Sequence, residues 1–501
     1  MLAFEFKQER LAEITLANIW PFILTFASVM FAMRMFSQLA FVIAIFVLVA
    51  ALSRQITVSY YALLIVPCLN VMNWALFHAT FNYNLASKAL TLLLCVILIQ
   101  QAASVRERYN VLRPFGWLIG YVAMMLVLSP FSMAPLISVL KGVLFLSFLG
   151  ALIAMVTVML HGQIHPGRAR SVVLAICCIF IFGSIAVYPL PSISRSMLYM
   201  RSDPGVTNLI NDTYGLYNGV VYHSQTLGPL LAVLNAFLLS DYLFNLQRGG
   251  KLHQMLLCCI PILVYLTSSR TALLTYLGSI FVVWLLLSRS RRVPAGRKQF
   301  MNSLCAAGFL LATAGLLVSS GFRSSAVAFL EKNREGNIEK RTAGEIAESL
   351  TASRMGIVNQ QMESFRKHPF IGTGFQVSEE LGLRGTRTLA DLLSAPVEKG
   401  VLPTMILEEG GLLGALVMVC FLVSVVQTFL KRHCYCFLGT FSAFLLTNMG
   451  EAIFFSPSGG GGIIWTICFC ALLLDLHRIR YDQIRSRPME AMGTQANWTF
   501  R

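Results

Sequence analysis

The sequence predicts an all-α, polytopic integral membrane protein, and three observations carry that expectation. Hydrophobic residues fill 56% of the 501 positions and charged residues only 12%, too few to cover a water-soluble surface. Apolar runs of roughly 17–25 residues recur along the chain, each about long enough to cross a ~30 Å hydrocarbon core. In hydrocarbon the backbone must satisfy its own hydrogen bonds, so those runs are expected to be helices. The basic residues, finally, sort by loop. A net charge of +16 would otherwise suggest nucleic acid, but positive charge distributed between alternate loops is the mark of membrane topology.

From the N-terminus, Glu5, Lys7, Glu9, Arg10 and Glu13 precede the first apolar run at Ala17, so the start is not the purely basic one of a secretory signal and the first span is expected to stay. Spans are expected near 17–33, 37–53, 57–77, 85–104, 112–130, 136–160, 171–188, 224–244, 252–267, 270–288, 301–320, 410–430, 434–455 and 462–477, about 12–14 transmembrane helices. The loops at 106–113, 161–170, 245–252, 288–300 and 431–433 hold fourteen Lys or Arg, whereas those at 129–135, 267–270 and 456–462 hold Arg270 alone. The first set is therefore assigned to the cytoplasm. Both termini follow it, and the long loops 189–223 and 321–409 fall on the outer side. The chain divides accordingly into 1–190, N-terminal spans; 191–320, spans with the first outer loop; 321–409, a large outer helical loop; 410–477, C-terminal spans; and 478–501, a cytoplasmic tail.

The twelve cysteines lie in or at the edges of apolar runs and read as small core residues, and neither long loop contains one, so neither a disulfide framework nor a metal site is expected. Between Gly321 and Pro403 eleven basic and ten acidic residues make a folded polar cap the natural reading. Within it, Ile346, Leu350, Met355, Val358, Met362 and Phe365 recur at helical spacing, as a helix lying on a membrane face requires. His368-Pro369 ends that helix and "GTGF" (372–375) turns the chain.

Arg270 opens a span after Ser268 and Ser269, where a guanidinium, free backbone N–H groups and the positive end of a helix dipole would together meet an anion. A snorkelling arginine at a span end fits the same position. Arg354, in "TASRMG", lies in the outer-loop helix. Two arginines on one membrane face suit a pyrophosphate, whose oxygens accept paired N–H donors. His223, at the mouth of a span, fits either an accessory role or a backbone-bonded interfacial residue. Glu451, within the run "FLLTNMGEAIFF", is expected to be paired or to face a cavity.

"SSRTALLTYLG", then "SRMGIVNQQMESFRKHPFIGTGF", then "ILEEGGLLGALVMV", with the earlier "YNGVVYHSQTLGPLLAVL", together resemble the O-antigen ligase and O-antigen polymerase superfamily over about Gly205 to Val425. The resemblance implies a metal-independent glycosyltransferase without cofactor in the bacterial inner membrane, with its site facing the periplasm. It implies a polyprenyl-pyrophosphate-linked oligosaccharide donor, a glycan acceptor, and a flippase and chain-length regulator as partners, with no nucleic acid. By this analogy Arg270 and Arg354 bind the pyrophosphate. Many relatives place a histidine about ten residues before the glutamate that precedes the reopening span; here "SAPVEKGVLPTMILEEGG" has none, and Glu398 or Lys399 occupies the place. Glu398 is then the candidate proton acceptor, while Lys399 would hold a phosphate oxygen. An exopolysaccharide polymerase is the leading expectation, a ligase to a lipid or protein acceptor the near alternative, and a transporter or lipid-linked glycan flippase the alternative from another class.

Overall fold

The computed structural model describes residues 19–30, 56–73, 83–103, 110–161, 166–195, 216–245, 251–290, 293–319, 343–377, 400–457 and 459–485. The described chain is all-α. Its main helices, in order, are α1 (Ile19–Met30), α2 (Ile56–Val71), α3 (Tyr83–Ala102), α4 (Phe115–Val127), α5 (Pro135–Leu160), α6 (Pro166–Val187), α7 (Ser224–Ser240), α8 (Lys251–Leu266), α9 (Arg270–Arg289), α10 (Ala295–Val318), α11 (Ala343–Lys367), α12 (Leu402–Lys431), α13 (Tyr435–Thr447) and α14 (Gly460–Arg485). Six helical segments are long and apolar enough to cross a membrane, and five shorter apolar helices accompany them among the described residues. Each expected span except 37–53, which lies outside the described residues, meets one of the helices α1–α14; those at 57–77 and 301–320 meet α2 and α10, which are not among the eleven apolar ones.

The helix α7 is the axis of the bundle. Its span is 89% buried, against 28% for that of α12, so α7 is wrapped by protein while α12 turns much of its apolar surface outward to lipid. Around α7 pack α9, α13 and α14. Rings fill the joint between α4, α12, α13 and α14: Phe115 lies 4.8 Å from Phe469, Phe437 stacks on Phe441 at 5.4 Å, and Trp465 sits edge-on to Phe444 at 5.2 Å. Such offset and edge-on pairs let aromatic quadrupoles attract rather than repel.

The loops separate into two ends, as the charge pattern requires. At one end Arg170 and His253 converge on the buried Asp241, Arg297 donates to the Tyr242 and Leu243 carbonyls, Arg478 to those of Phe244 and His433, and Arg480 to that of Leu160. At the other end the chain staples itself through backbone. Asn73 N–H donates to Val220 O at 2.7 Å, Leu402 N–H to Asn448 O at 2.8 Å, and Thr373 N–H to Glu408 O at 2.8 Å. Here lie the loops around 129–135, 188–195, 216–223, 267–270 and 448–457.

Two expected spans differ in detail. The helix expected over 410–430 begins at Leu402 and is broken at Gly411 (φ 59°, ψ −156°). The span expected over 434–455 stops at Thr447. Asn448 is the cause: it is fully buried, its amide donates to Phe444 O at 2.8 Å and its carbonyl oxygen accepts from Ile453 N–H at 2.9 Å, which closes the helix and turns the chain.

Candidate functional site

The helix α9 starts where it does because Ser268 is held in a left-handed conformation (φ 50°), which ends α8, and Ser269 caps the next helix. The Ser269 hydroxyl accepts from Ala272 N–H at 3.3 Å, satisfying one of the unpaired donors of the first turn. Arg270 is thus the first helical residue and is partly exposed.

Beside it runs the start of α7. His223 is the N-cap there, its Nδ1 accepting from Gln225 N–H at 3.1 Å. That bond fixes Nδ1 as an acceptor, so any proton chemistry at His223 falls to Nε2. The Gly228 site on α7 lies against Thr267, Ser269 and Ala272, bringing the two helix starts together without an intervening side chain.

The turn after α13 completes the group. Glu451 is not within a span but in this turn, its N–H donating to Thr447 O at 2.9 Å, and it is partly buried. A Cβ on Gly450 would stand 2.3 Å from the Thr271 hydroxyl, so the turn rests directly on the first turn of α9. Glu451 also faces Tyr222. The Tyr222 ring is half exposed while its phenol is enclosed; burial raises its pKa, a hydrogen bond with Thr226 opposes this, and the Glu451 carboxylate adds to the rise. His223, Arg270 and Glu451, singled out separately in the sequence, therefore belong to one region where α7, α9 and the 448–457 turn meet.

Arg354 lies on the α11 backbone. That helix packs on α12, and its buried face is Gln361 and Ser364, with the Thr404 hydroxyl hydrogen-bonded to Gln361. The expected apolar stripe is only partly used: Met355 is exposed, and Val358, Met362 and Phe365 are half-buried. The side chains of Ile346 and Leu350 lie outside the described residues, and Gln361 and Ser364 are buried more deeply than the described part of the stripe, where α11 seats on the start of α12. Glu398 and Lys399 lie outside the described residues. The chain resumes at Gly400, and Leu402 is bonded to Asn448 in the turn that carries Glu451.

What the sequence reading missed is how the "GTGF" turn is held. It does not sit above the bundle as part of a cap but inserts into it. Phe375 is fully buried, 5.1 Å from the Phe455 ring and 6.4 Å from that of Tyr121. Ser132 donates to Thr373 O at 2.9 Å, Phe375 N–H to Ser138 at 3.0 Å, and Lys141 to Gln376 O at 3.1 Å. On its other side Gly374 N–H donates to Glu409 O at 3.0 Å and Leu412 N–H to Pro369 O at 2.8 Å. Gly372 (φ 67°) and Gly411 (φ 59°) make this clasp: a Cβ on either would fall within 2.4 Å of opposing backbone. Glu408 and Glu409, whose carbonyls the turn uses, are buried. The paired glycine signals "GTG" and "EEGG" were legible as turns, but nothing local said that they turn toward each other.

The O-antigen ligase family matches residues 254–395, so this stretch of the chain is similar to that family. The matched stretch contains Arg270 and Arg354 and ends shortly before Glu398. No curated protein matches the sequence.

Proposed function

We propose that this chain, whose residues 254–395 carry the O-antigen ligase match, is a glycosyltransferase that joins glycan repeat units from a polyprenyl-pyrophosphate carrier during surface polysaccharide synthesis. The observation that carries the reading is that the matched stretch begins a helix with Arg270 at the boundary of the bundle, capped by Ser269 and flanked by His223 and Glu451. A helix N-terminus and a guanidinium at that depth suit a pyrophosphate whose tail remains in hydrocarbon. The helix carrying Arg354 is linked to the same region through Thr404, Leu402 and Asn448.

In the reaction an acceptor hydroxyl attacks the anomeric carbon of the donor sugar, the bond from that carbon to the pyrophosphate oxygen breaks, and the carrier pyrophosphate leaves. Arg270 and Arg354 stabilise the charge that develops on the departing pyrophosphate. Glu398 takes the proton of the attacking hydroxyl, or Lys399 holds a phosphate oxygen while the proton passes to water, since the leaving group is already good. Glu451 and His223 line the approach and position these groups. The site faces the periplasm and both termini face the cytoplasm, an orientation supported by the fourteen Lys and Arg in the loops of the opposite end.

Polymerisation is favoured over ligation because Glu398 or Lys399 stands where the ligase-like pattern has histidine. The test is glycan length and amount in cells lacking the native copy, with membrane levels of each variant checked. Arg270→Ala and Arg354→Ala are each expected to reduce product about ten- to hundredfold, the loss of a charge-assisted contact of about 1.5–3 kcal/mol. Normal polymer from both variants would remove the pyrophosphate clamp. Purified protein given carrier-linked repeats separates the two readings: a polymerase lengthens the carrier-linked chain, whereas a ligase transfers it to a separate acceptor unchanged in length.

A further inference from the structure

At the basic end of the bundle, opposite Arg270, the start of α4 and the end of α12 diverge around a cleft of about 370 Å³. Arg113, Lys431 and Arg432 line it with the hydroxyls of Ser424 and Thr428 and the ring of Trp117. None of the ion pairs among the described residues uses any of the three cations. We propose that this cleft binds the phosphate headgroup of an anionic membrane phospholipid, with its acyl chains running along the outer seam of α4 and α12.

Three features support a lipid rather than a soluble phosphate. Ser424 and Thr428 stand one turn apart on α12, and Lys431 and Arg432 follow on the next turn, so donors to a phosphate are stacked at the membrane edge. Along the same face of α12, deeper in the bilayer, come the half-buried Cys420 and Val417 and the exposed Leu413, an apolar track with no further charge. Across the seam Trp117 is 47% exposed, an amphipathic ring where headgroups lie. Gly116 and Gly120 beside it leave room for a chain, since a Cβ on either meets nothing within 4 Å. Basic pockets between spans at this level are suited to anionic headgroups, and the nearby acyl track supplies what a free phosphate lacks. Lys431 and Arg432 also complement the negative end of the α12 dipole, but that alone asks nothing of Arg113 on another element.

The test is native mass spectrometry of the full chain in mild detergent, titrated with dioleoyl phosphatidylglycerol, with dioleoyl phosphatidylcholine, and with glycerol 1-phosphate. Phosphatidylglycerol should be retained at one site in preference to phosphatidylcholine, and glycerol 1-phosphate should not displace it. The combined substitution Arg113→Gln, Lys431→Gln and Arg432→Gln should lower its affinity tenfold or more. The same charge loss elsewhere at this end, Lys251→Gln with Arg289→Gln and Lys298→Gln, should change it less than twofold. Gly120→Leu, which fills the seam and alters no charge, should lower it at least threefold. If the triple variant does not fold, Arg113→Gln and Gly120→Leu carry the test. Equal retention of the two lipids, equal losses in the two triple variants, or unchanged binding in both Arg113→Gln and Gly120→Leu would overturn the proposal. Displacement by glycerol 1-phosphate at matched concentration would overturn it in favour of a soluble phosphate site.

Discussion

The two ends of the bundle are held by different chemistry. At the basic end, charged side chains do the fastening: Arg170 grips Asp241 through contacts of 2.9 and 3.0 Å, His253 adds a third at 3.1 Å, and Arg297, Arg478 and Arg480 cap carbonyls that helix ends leave open. At the opposite end the fastening is done mainly by backbone, by polar side chains such as Ser132, Ser138, Asn448 and Lys141 on loop backbone, and by glycine contacts. The first device locks an ionic group in protein; the second orders a surface while leaving it polar and accessible. The site proposed at that end, which would admit a large anionic substrate, calls for the second kind.

The largest effect should come from breaking the basic-end lock. Asp241→Asn leaves the buried Arg170 without its counter-charge and is expected to cost about 3–5 kcal/mol. Thermal unfolding of the purified protein in detergent would show it as a markedly lower midpoint, and an unchanged midpoint would mean that the ionic cluster does not hold that end.

At the outer end the strongest structural test is the glycine clasp. Gly372→Ala places a Cβ 2.2 Å from Glu409 O in a left-handed conformation, which should cost about 2–4 kcal/mol in strain and overpacking. Limited proteolysis should then cut near 369–377 while the helices of the basic end stay protected. Cutting spread evenly over the chain would show that the two ends are not independent.

Arg270→Ala sharpens the contrast in function instead of stability. It should lower the thermal midpoint far less than Asp241→Asn, since Arg270 is only partly buried, while lowering glycan output about tenfold or more. Arg270→Lys should recover only part of that output, because it keeps the charge and loses the paired N–H geometry. A midpoint drop matching that of Asp241→Asn would instead make Arg270 a structural residue.

The smallest effect is expected at His223. Losing its cap to Gln225 N–H should cost about 1 kcal/mol in His223→Ala and almost nothing in His223→Asn, which can cap equally well. If His223→Asn keeps stability but loses glycan output, the imidazole Nε2 has a role in the reaction beyond the cap.

The sequence alone determined the class, the order of the apolar helices among the described residues, and the separation of loops into a basic and a neutral end. These properties depend on hydrocarbon excluding unpaired backbone and on charge placement, both of which act locally along the chain. It also marked Arg270, His223 and Glu451 as residues out of place in apolar surroundings. Only the tertiary structure decided that these three share one region, because that depends on α7, α9 and the 448–457 turn packing together across more than two hundred positions. It decided as well that the span expected to carry Glu451 ends at Thr447, through hydrogen bonds that Asn448 makes on both sides, and that α11 buries Gln361 and Ser364 more deeply than Val358, Met362 and Phe365. The same holds for the GTG turn meeting the EEGG break: each glycine permits a turn, but which backbone it approaches is fixed by contacts distant in sequence.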